Sequence, residues 1–261
     1  MIRSLFLTFI FLTGCSFASR DVSFGDKDFN GYKKYTDKDY IAHLNFIGSS
    51  YDQSIAALKV LLNLESSEFL KKITTKILSH NEYLFSDSFK PKITILKDSR
   101  PFYFSLPNNN IYLSTELFEY IKTEHLLAAI LSYEFIKIDK NVYAKKIIAP
   151  HGYIQTSQMI DLTLIPLEEK IMLDKWGYYI LRRSGYDEDA YLSLIQVQSK
   201  NNLDFAFHLG NSSSVLKQEF MFKKFLVESL KKKKEKTIKN SSQSFYAFLQ
   251  DVKNKSNKEV L

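Results

Sequence analysis

Between Leu127 and Lys140 the chain reads LAAILSYEFIKIDK, and this stretch dictates what kind of interior the remainder has to supply. From Thr115 to about Lys140 the spacing is helical, with Leu117, Tyr120, Leu127, Ile130 and Leu131 as the stripe to be buried. Glu134 and Lys137 lie inside that apolar run, so a core helix carries two charges with it. A lone buried carboxylate is costly, whereas a neighbouring ammonium supplies compensating charge. At about 4 Å and an effective dielectric of about 20, one such pair gains roughly 4 kcal/mol before desolvation is subtracted. The sequence admits a second arrangement, in which the helix is slightly rotated and the charged groups reach water along their stems.

Apolar residues from Ile41 to Ile77 recur at helical spacing and give two or three helices between Asp37 and His80. PKITILKDS alternates as a strand does, and PFYFSLPNNNIYLS places two β-rich runs around a Pro-Asn-Asn-Asn turn, the pattern of a hairpin. Pro150, His151 and Gly152 mark a break. A helix follows Pro166 and runs to about Ser184 with Gly185 as its cap, and another begins in GYDEDAYLSLIQVQ. Trp176, Tyr178 and Tyr179 read as core aromatics. With 45% hydrophobic and 15% aromatic residues among 261, the chain can bury a full core, and the expected class is α+β, mainly helical, with a small sheet.

The N-terminal residues bear on compartment. MIRSLFLTFIFLT has Arg3 before an apolar run far shorter than the roughly 20 residues of a spanning helix, which is a signal-peptide pattern. LTGC, Leu12 to Cys15, resembles a bacterial lipobox, in which Cys15 becomes the acylated N-terminus. At about 0.8 kcal/mol per buried methylene, several acyl chains would hold the protein on a membrane surface. The expected order is a signal peptide over 1–14, a tether over 15–36, a folded domain over 37–228, and a basic linker with a short helix, SFYAFLQDV, over 229–261. Lys231 to Lys234 and Lys236 read either as a solvated linker or as a contact to anionic headgroups. Cys15 is the sole cysteine, which excludes an intramolecular disulfide and a set of thiol metal ligands. Nucleic acid is not an expected partner of an exported chain, and the net charge of +7 points only weakly to an anionic neighbour.

Three stretches resemble, in order and spacing, the membrane-associated zinc metallopeptidases of the HtpX, BepA and CAAX-prenyl-protease group. FYFSLPNNNIYLSTELF is similar to that family's N-A-F-A-L-P-G-G-x-I-x-V-x-x-G-L-L strand, and LAAILSYEFIKI to L-A-A-V-L-G-H-E-I-G-H-V. LDKWGYYILRRSGYDEDA is similar to A-D-R-x-G-x-x-x-L-x-R-S-G-Y-D-P-x-A, with Asp174, Gly177, Leu181, Gly185, Tyr186, Asp187 and Ala190 on the pattern. The match spans about residues 66–198. The family's later H-P-x-x-x-x-R-I segment is not found around His208.

The resemblance implies a zincin-like domain in which an H-E-x-x-H helix carries two metal ligands and a general-base glutamate, with a third ligand on a second helix. Carried over by position, Tyr133 and Lys137 stand at the two histidine sites, Lys170 at the third-ligand site, Glu134 at the catalytic glutamate and Asp174 at the aspartate that orients a ligand. An ammonium has no lone pair to give a metal, so no cofactor is expected and Glu134 has no polarised water to activate. His43, His80, His125, His151 and His208 offer no pair at ligand spacing, and Glu168 or Glu169 could replace Lys170 only through a register shift. The expected function is that of an inactive pseudopeptidase, lipid-anchored in the bacterial cell envelope and facing the periplasm from the outer membrane, that binds or regulates an envelope protein or peptide. An edge strand containing Phe104, Ser105, Leu106, Asn110, Ile111, Tyr112 and Leu113 would receive the peptide by backbone pairing. The alternative is an active zinc metalloendopeptidase with rearranged ligands.

Overall fold

The computed structural model describes residues 35–149, 152–201, 212–229 and 240–256. The leader, Cys15, most of the tether and the lysine run 231–236 lie outside the described residues.

Helix α1, Asp37–Ser54, opens on a capping box in which the Thr36 hydroxyl accepts from the Asp39 N–H and the Asp39 carboxylate accepts from the Thr36 N–H. Helix α2, Leu64–Ser79, is capped by Asn63, whose side chain accepts from the Ser66 N–H at 2.8 Å. Three strands follow: β1, Lys92–Leu96; β2, Tyr103–Ser105; and β3, Asn110–Ser114. The hairpin expected from the Asn-rich turn is β2–β3, antiparallel, and Asn109 takes the left-handed conformation there at φ 66°. β1 pairs parallel with β3, which gives the order β1-β3-β2.

The helical run expected from Thr115 to Lys140 is broken in two. A 3-10 turn at Glu116–Glu119 comes first, and helix α3, Glu124–Asp139, restarts where the Thr123 hydroxyl accepts from the Leu126 N–H at 3.2 Å. Every residue of α3 from His125 to Ile138 is buried. Leu126, Leu127, Ile130, Leu131, Phe135, Ile136 and Ile138 each contribute about 1.5–3 kcal/mol on burial, whereas the net cost of taking in a charge pair is several kcal/mol. The apolar residues win that balance, and Glu134 and Lys137 are carried into the interior with them.

Around α3 stand α4, Thr156–Thr163; α5, Leu167–Arg183; α6, Asp189–Lys200; α7, Ser212–Ser229; and α8, Gln243–Ser256. α5 ends as the sequence implies, with Gly185 at φ 70° and its N–H bonded to the Arg182 carbonyl. The sheet separates two cores. Tyr103, Ile111 and Leu113 point into the larger one with α2, α3, α5 and α6, while Phe104 and Tyr112, one residue out of phase, join Tyr51, Phe102 and Met159 in the smaller one.

The last helix is not an appendage. Phe245, Phe248 and Val252 of α8 are buried in the larger core, with the Phe248 ring 5.2 Å from Phe69 and 5.3 Å from Phe118. The Asp251 carboxylate accepts from the Asn63 N–H at 3.0 Å, and Glu124 accepts from the Ser242 N–H at 3.0 Å. The boundary expected near residue 229 therefore falls inside the folded unit, which among the described residues begins at Thr36 and includes α8.

Candidate functional site

α3 and α5 pack side by side, and the four charged positions singled out in the sequence face one another across that contact. On α3 the Glu134 carboxylate lies 3.8 Å from the Lys137 ammonium, with the two side chains 0% and 2% exposed. One turn apart on a helix is the spacing that lets such side chains meet. Neither Glu134 oxygen has a hydrogen-bond partner, so its compensation is charge alone. The Lys137 ammonium also lies 5.4 Å from the centre of the Tyr143 ring, whose π face adds to its stabilisation. Burial lowers the Lys137 pKa, and Glu134 opposes the fall. The arrangement with both groups reaching water is therefore not the one adopted.

On α5, Asp174 is buried and bonded twice, accepting from the Tyr191 hydroxyl of α6 at 3.3 Å and from Nε2 of Gln218 on α7 at 2.7 Å. Burial pushes its carboxyl up to about 6, against the pull of Lys170, Gln218 and Tyr191. Lys170 retains some exposed surface, yet the protein packed around its ammonium brings it down to about 8; Asp174 and Glu134 oppose the fall and Lys137 adds to it. Asp174 thus has Lys170 as its charge partner.

Aromatic groups close the cluster. Tyr133 is buried, its ring 6.5 Å from that of Tyr103 at 85°, and the Tyr103 hydroxyl takes a hydrogen bond from Gln198. Tyr103, Tyr133 and Tyr143 have pKa values raised by burial first and then by the neighbouring carboxylates, which keeps all three phenols neutral donors. Tyr103, Tyr143, Tyr191, Gln198 and Gln218 were not legible as site residues. They come from four separate segments, Tyr191 and Gln198 sharing α6, and Gln218 lies beyond the stretch that resembles a family. The aromatic row on α5 splits: Tyr178 is buried, whereas Trp176 and Tyr179 are 38% and 41% exposed and are not core.

The strand expected to receive a peptide needs correction. Asn110, Ile111, Tyr112 and Leu113 belong to β3, which is paired on both sides and has no free backbone edge. β2 is the outer strand. Phe102 and Leu106 bond across to β3, so by alternation the main-chain groups of Tyr103 and Ser105 point away from it. Ser105 is nevertheless fully buried, with its hydroxyl 3.5 Å from that of Tyr143, so the segment after α3 covers this edge.

The donor set does not fit a zinc ion. Glu134 is held against Lys137, both Asp174 oxygens already accept hydrogen bonds, and Lys170 at about 8 is mostly an ammonium at neutral pH. Among the described residues no three His, Cys, Asp or Glu side chains form a metal-sized group. Glu168 is exposed in the first turn of α5 and does not take the place of Lys170.

The fold and site together define a mainly helical α+β domain built round a buried helix, with two carboxylates and two amines in its interior. No protein-family model matches the chain, and no curated protein matches it.

The cluster sets a pH dependence whose sign follows from the two shifts. Asp174 holds its proton more tightly folded than unfolded, so its contribution is complete below about 3.8 and lost as pH rises through about 6. Lys170 does the reverse, with a contribution complete above 10.5 and lost as pH falls through about 8. Asp174→Asn is expected to remove a rise in stability of up to roughly 3 kcal/mol on the acid side, and Lys170→Met the rise on the alkaline side. Melting temperatures of parent and variants across this range measure both. Difference curves that stay flat from pH 4 to pH 10 would show that the groups are solvated.

Proposed function

We propose that this chain is an exported lipoprotein, acylated at Cys15, whose domain has the zincin-like fold of the zinc metallopeptidases but no catalytic metal, and that it binds or regulates an envelope protein or peptide without cleaving it. The observation carrying this reading is the Glu134–Lys137 pair. Glu134 stands where the resemblance implies a general base, and a lysine ammonium 3.8 Å away occupies the position of a ligand. A general base of a metallopeptidase works on a metal-bound water, and an ammonium supplies the positive charge without the Lewis acidity. The three remaining positions support the same reading, since Tyr133, Lys170 and Asp174 gather at this pair while sharing no set of lone pairs for a cation.

The edge of β2 at Ser105 is the surface by which an extended peptide would add to the sheet, and it becomes available when the segment carrying Tyr143 moves aside. The test of the noncatalytic reading is a joint measurement of bound zinc and casein cleavage, with and without chelator, on purified protein. The expected result is zinc far below one per chain and no chelator-sensitive cleavage. One zinc per chain together with chelator-sensitive cleavage selects the active metalloendopeptidase with rearranged ligands.

A further inference from the structure

The geometry of α7 points to a second membrane contact, distinct from any acyl anchor: we infer that the outward face of this helix docks on an anionic lipid surface. α7 packs on α5 and α6 through Gln218, Phe222 and Phe225, with Phe222 fully buried and 5.3 Å from the Tyr191 ring. At about 100° per residue, these three lie within about 60° of one another on the helical wheel, and Leu216, Phe220 and Val227 fall on the opposite side within about 40°. That opposite ridge is open to solvent, with Leu216 63%, Phe220 66% and Val227 79% exposed. A helix that has already buried one apolar stripe has no folding reason to carry a second one facing outward.

Charge identifies the occupant. Lys224 flanks the ridge on one side and Lys223 on the other, both exposed and both closer to the ridge on the wheel than Glu219 and Glu228, with Lys217 further out beyond Lys224. Glu219 and Glu228 pair with Lys223 and Lys224 at 2.7 Å and 4.0 Å along the outer flanks. Between residues 212 and 239 the sequence carries nine lysines against three glutamates, which accounts for most of the chain's net charge of +7. An apolar spine bordered by lysines is the pattern of a helix lying in the lipid interface, where the spine enters the acyl boundary and the ammoniums meet headgroup phosphates. Three exposed side chains offer far less than the roughly 1,000 Å² a specific protein interface requires, whereas shallow insertion combined with lysine attraction is enough for reversible lipid binding.

The experiment uses the chain from residue 16 onward, which keeps the whole folded unit and leaves out both the apolar leader and the acylation site, so that neither contributes. Sedimentation with vesicles of phosphatidylcholine alone, and of phosphatidylcholine with about one-quarter phosphatidylglycerol, gives the partition coefficients. The parent is expected to prefer the anionic vesicles, and Phe220→Ser with Val227→Ser is expected to lower anionic partitioning about tenfold. Lys217→Glu with Lys224→Glu is expected to remove most of the preference while leaving binding to neutral vesicles unchanged. Both pairs are exposed, and an unchanged melting temperature confirms that the fold is retained. No anionic preference in the parent overturns the inference, as does undiminished anionic binding by the Phe220 and Val227 variant. Conversion of a dimer to a monomer by that variant, with vesicle binding unaltered, also overturns it and assigns the ridge to a second copy of this chain.

Discussion

Lys137→Met is expected to destabilise the protein by about 3–5 kcal/mol, the cost of leaving a buried carboxylate without its counter-charge. Glu134 has no exposed surface and neither of its oxygens accepts a hydrogen bond, so its compensation is charge alone, with the Lys137 ammonium at 3.8 Å as the near partner and Lys170 adding to it from α5. Methionine fills nearly the volume of the lysine stem, so the loss reports charge and not a cavity. Glu134→Gln should cost less than the lysine change. It leaves the Lys137 ammonium buried beside the Tyr143 ring, but an amine whose pKa burial already lowers can shed its proton. The double variant is expected to recover most of the loss, because a neutral pair of similar shape removes both uncompensated charges. At about 2–4 °C per kcal/mol for a domain of this size, the Lys137 variant melts roughly 6–20 °C below the parent. A thermal double-mutant cycle measures the coupling directly. Additive single losses would mean that the two groups do not interact, and the charge-replacement account of the site would fall with them.

The fold was legible where local chemistry decides it. The alternation in PKITILKDS, the Asn turn of the hairpin and Gly185 after α5 each specify an element from a few adjacent residues, and each element is present. The position of β3 was not legible, because the hairpin gives it one neighbour while the parallel pairing with β1 is a long-range choice that no local signal encodes. The same holds for α8. Its sequence reads as a short amphipathic helix, and only the site left open between α2 and the 3-10 turn makes Phe245 and Phe248 part of the core. At the candidate site, spacing along α3 paired only Glu134 with Lys137, and it was the resemblance to the metallopeptidase motifs that implied Lys170 and Asp174 beside them. The tyrosines and glutamines that bond to Asp174 or pack against Tyr133 reach the cluster through tertiary contacts, and a hydroxyl or amide carries no sequence signature of its partner.

Gly177 explains how the second half of that cluster is held, and it predicts a change of sign. A Cβ at this position would lie 2.6 Å from the Tyr191 hydroxyl oxygen and 2.7 Å and 2.9 Å from its ring carbons. Gly177 is thus the gap through which a fully buried tyrosine on α6 reaches across α5 to donate to Asp174. In an ordinary helix interior, glycine to alanine gains about 1 kcal/mol. Here the added methyl meets a ring with no free space, at a cost of about 1–3 kcal/mol, and displacing the hydroxyl deprives a buried carboxylate of a donor, at about 1–3 kcal/mol more. The loss exceeds the gain, so Gly177→Ala is expected to destabilise the parent by about 1–5 kcal/mol, measured by denaturant titration. In a Tyr191→Ala background the obstruction is gone and Asp174 has already lost that donor, so the same substitution is left with its helix term and should stabilise by up to about 1 kcal/mol. Destabilisation of equal size in both backgrounds would show that the glycine answers to something other than Tyr191, and that the hydroxyl reaches Asp174 by a route the gap does not control.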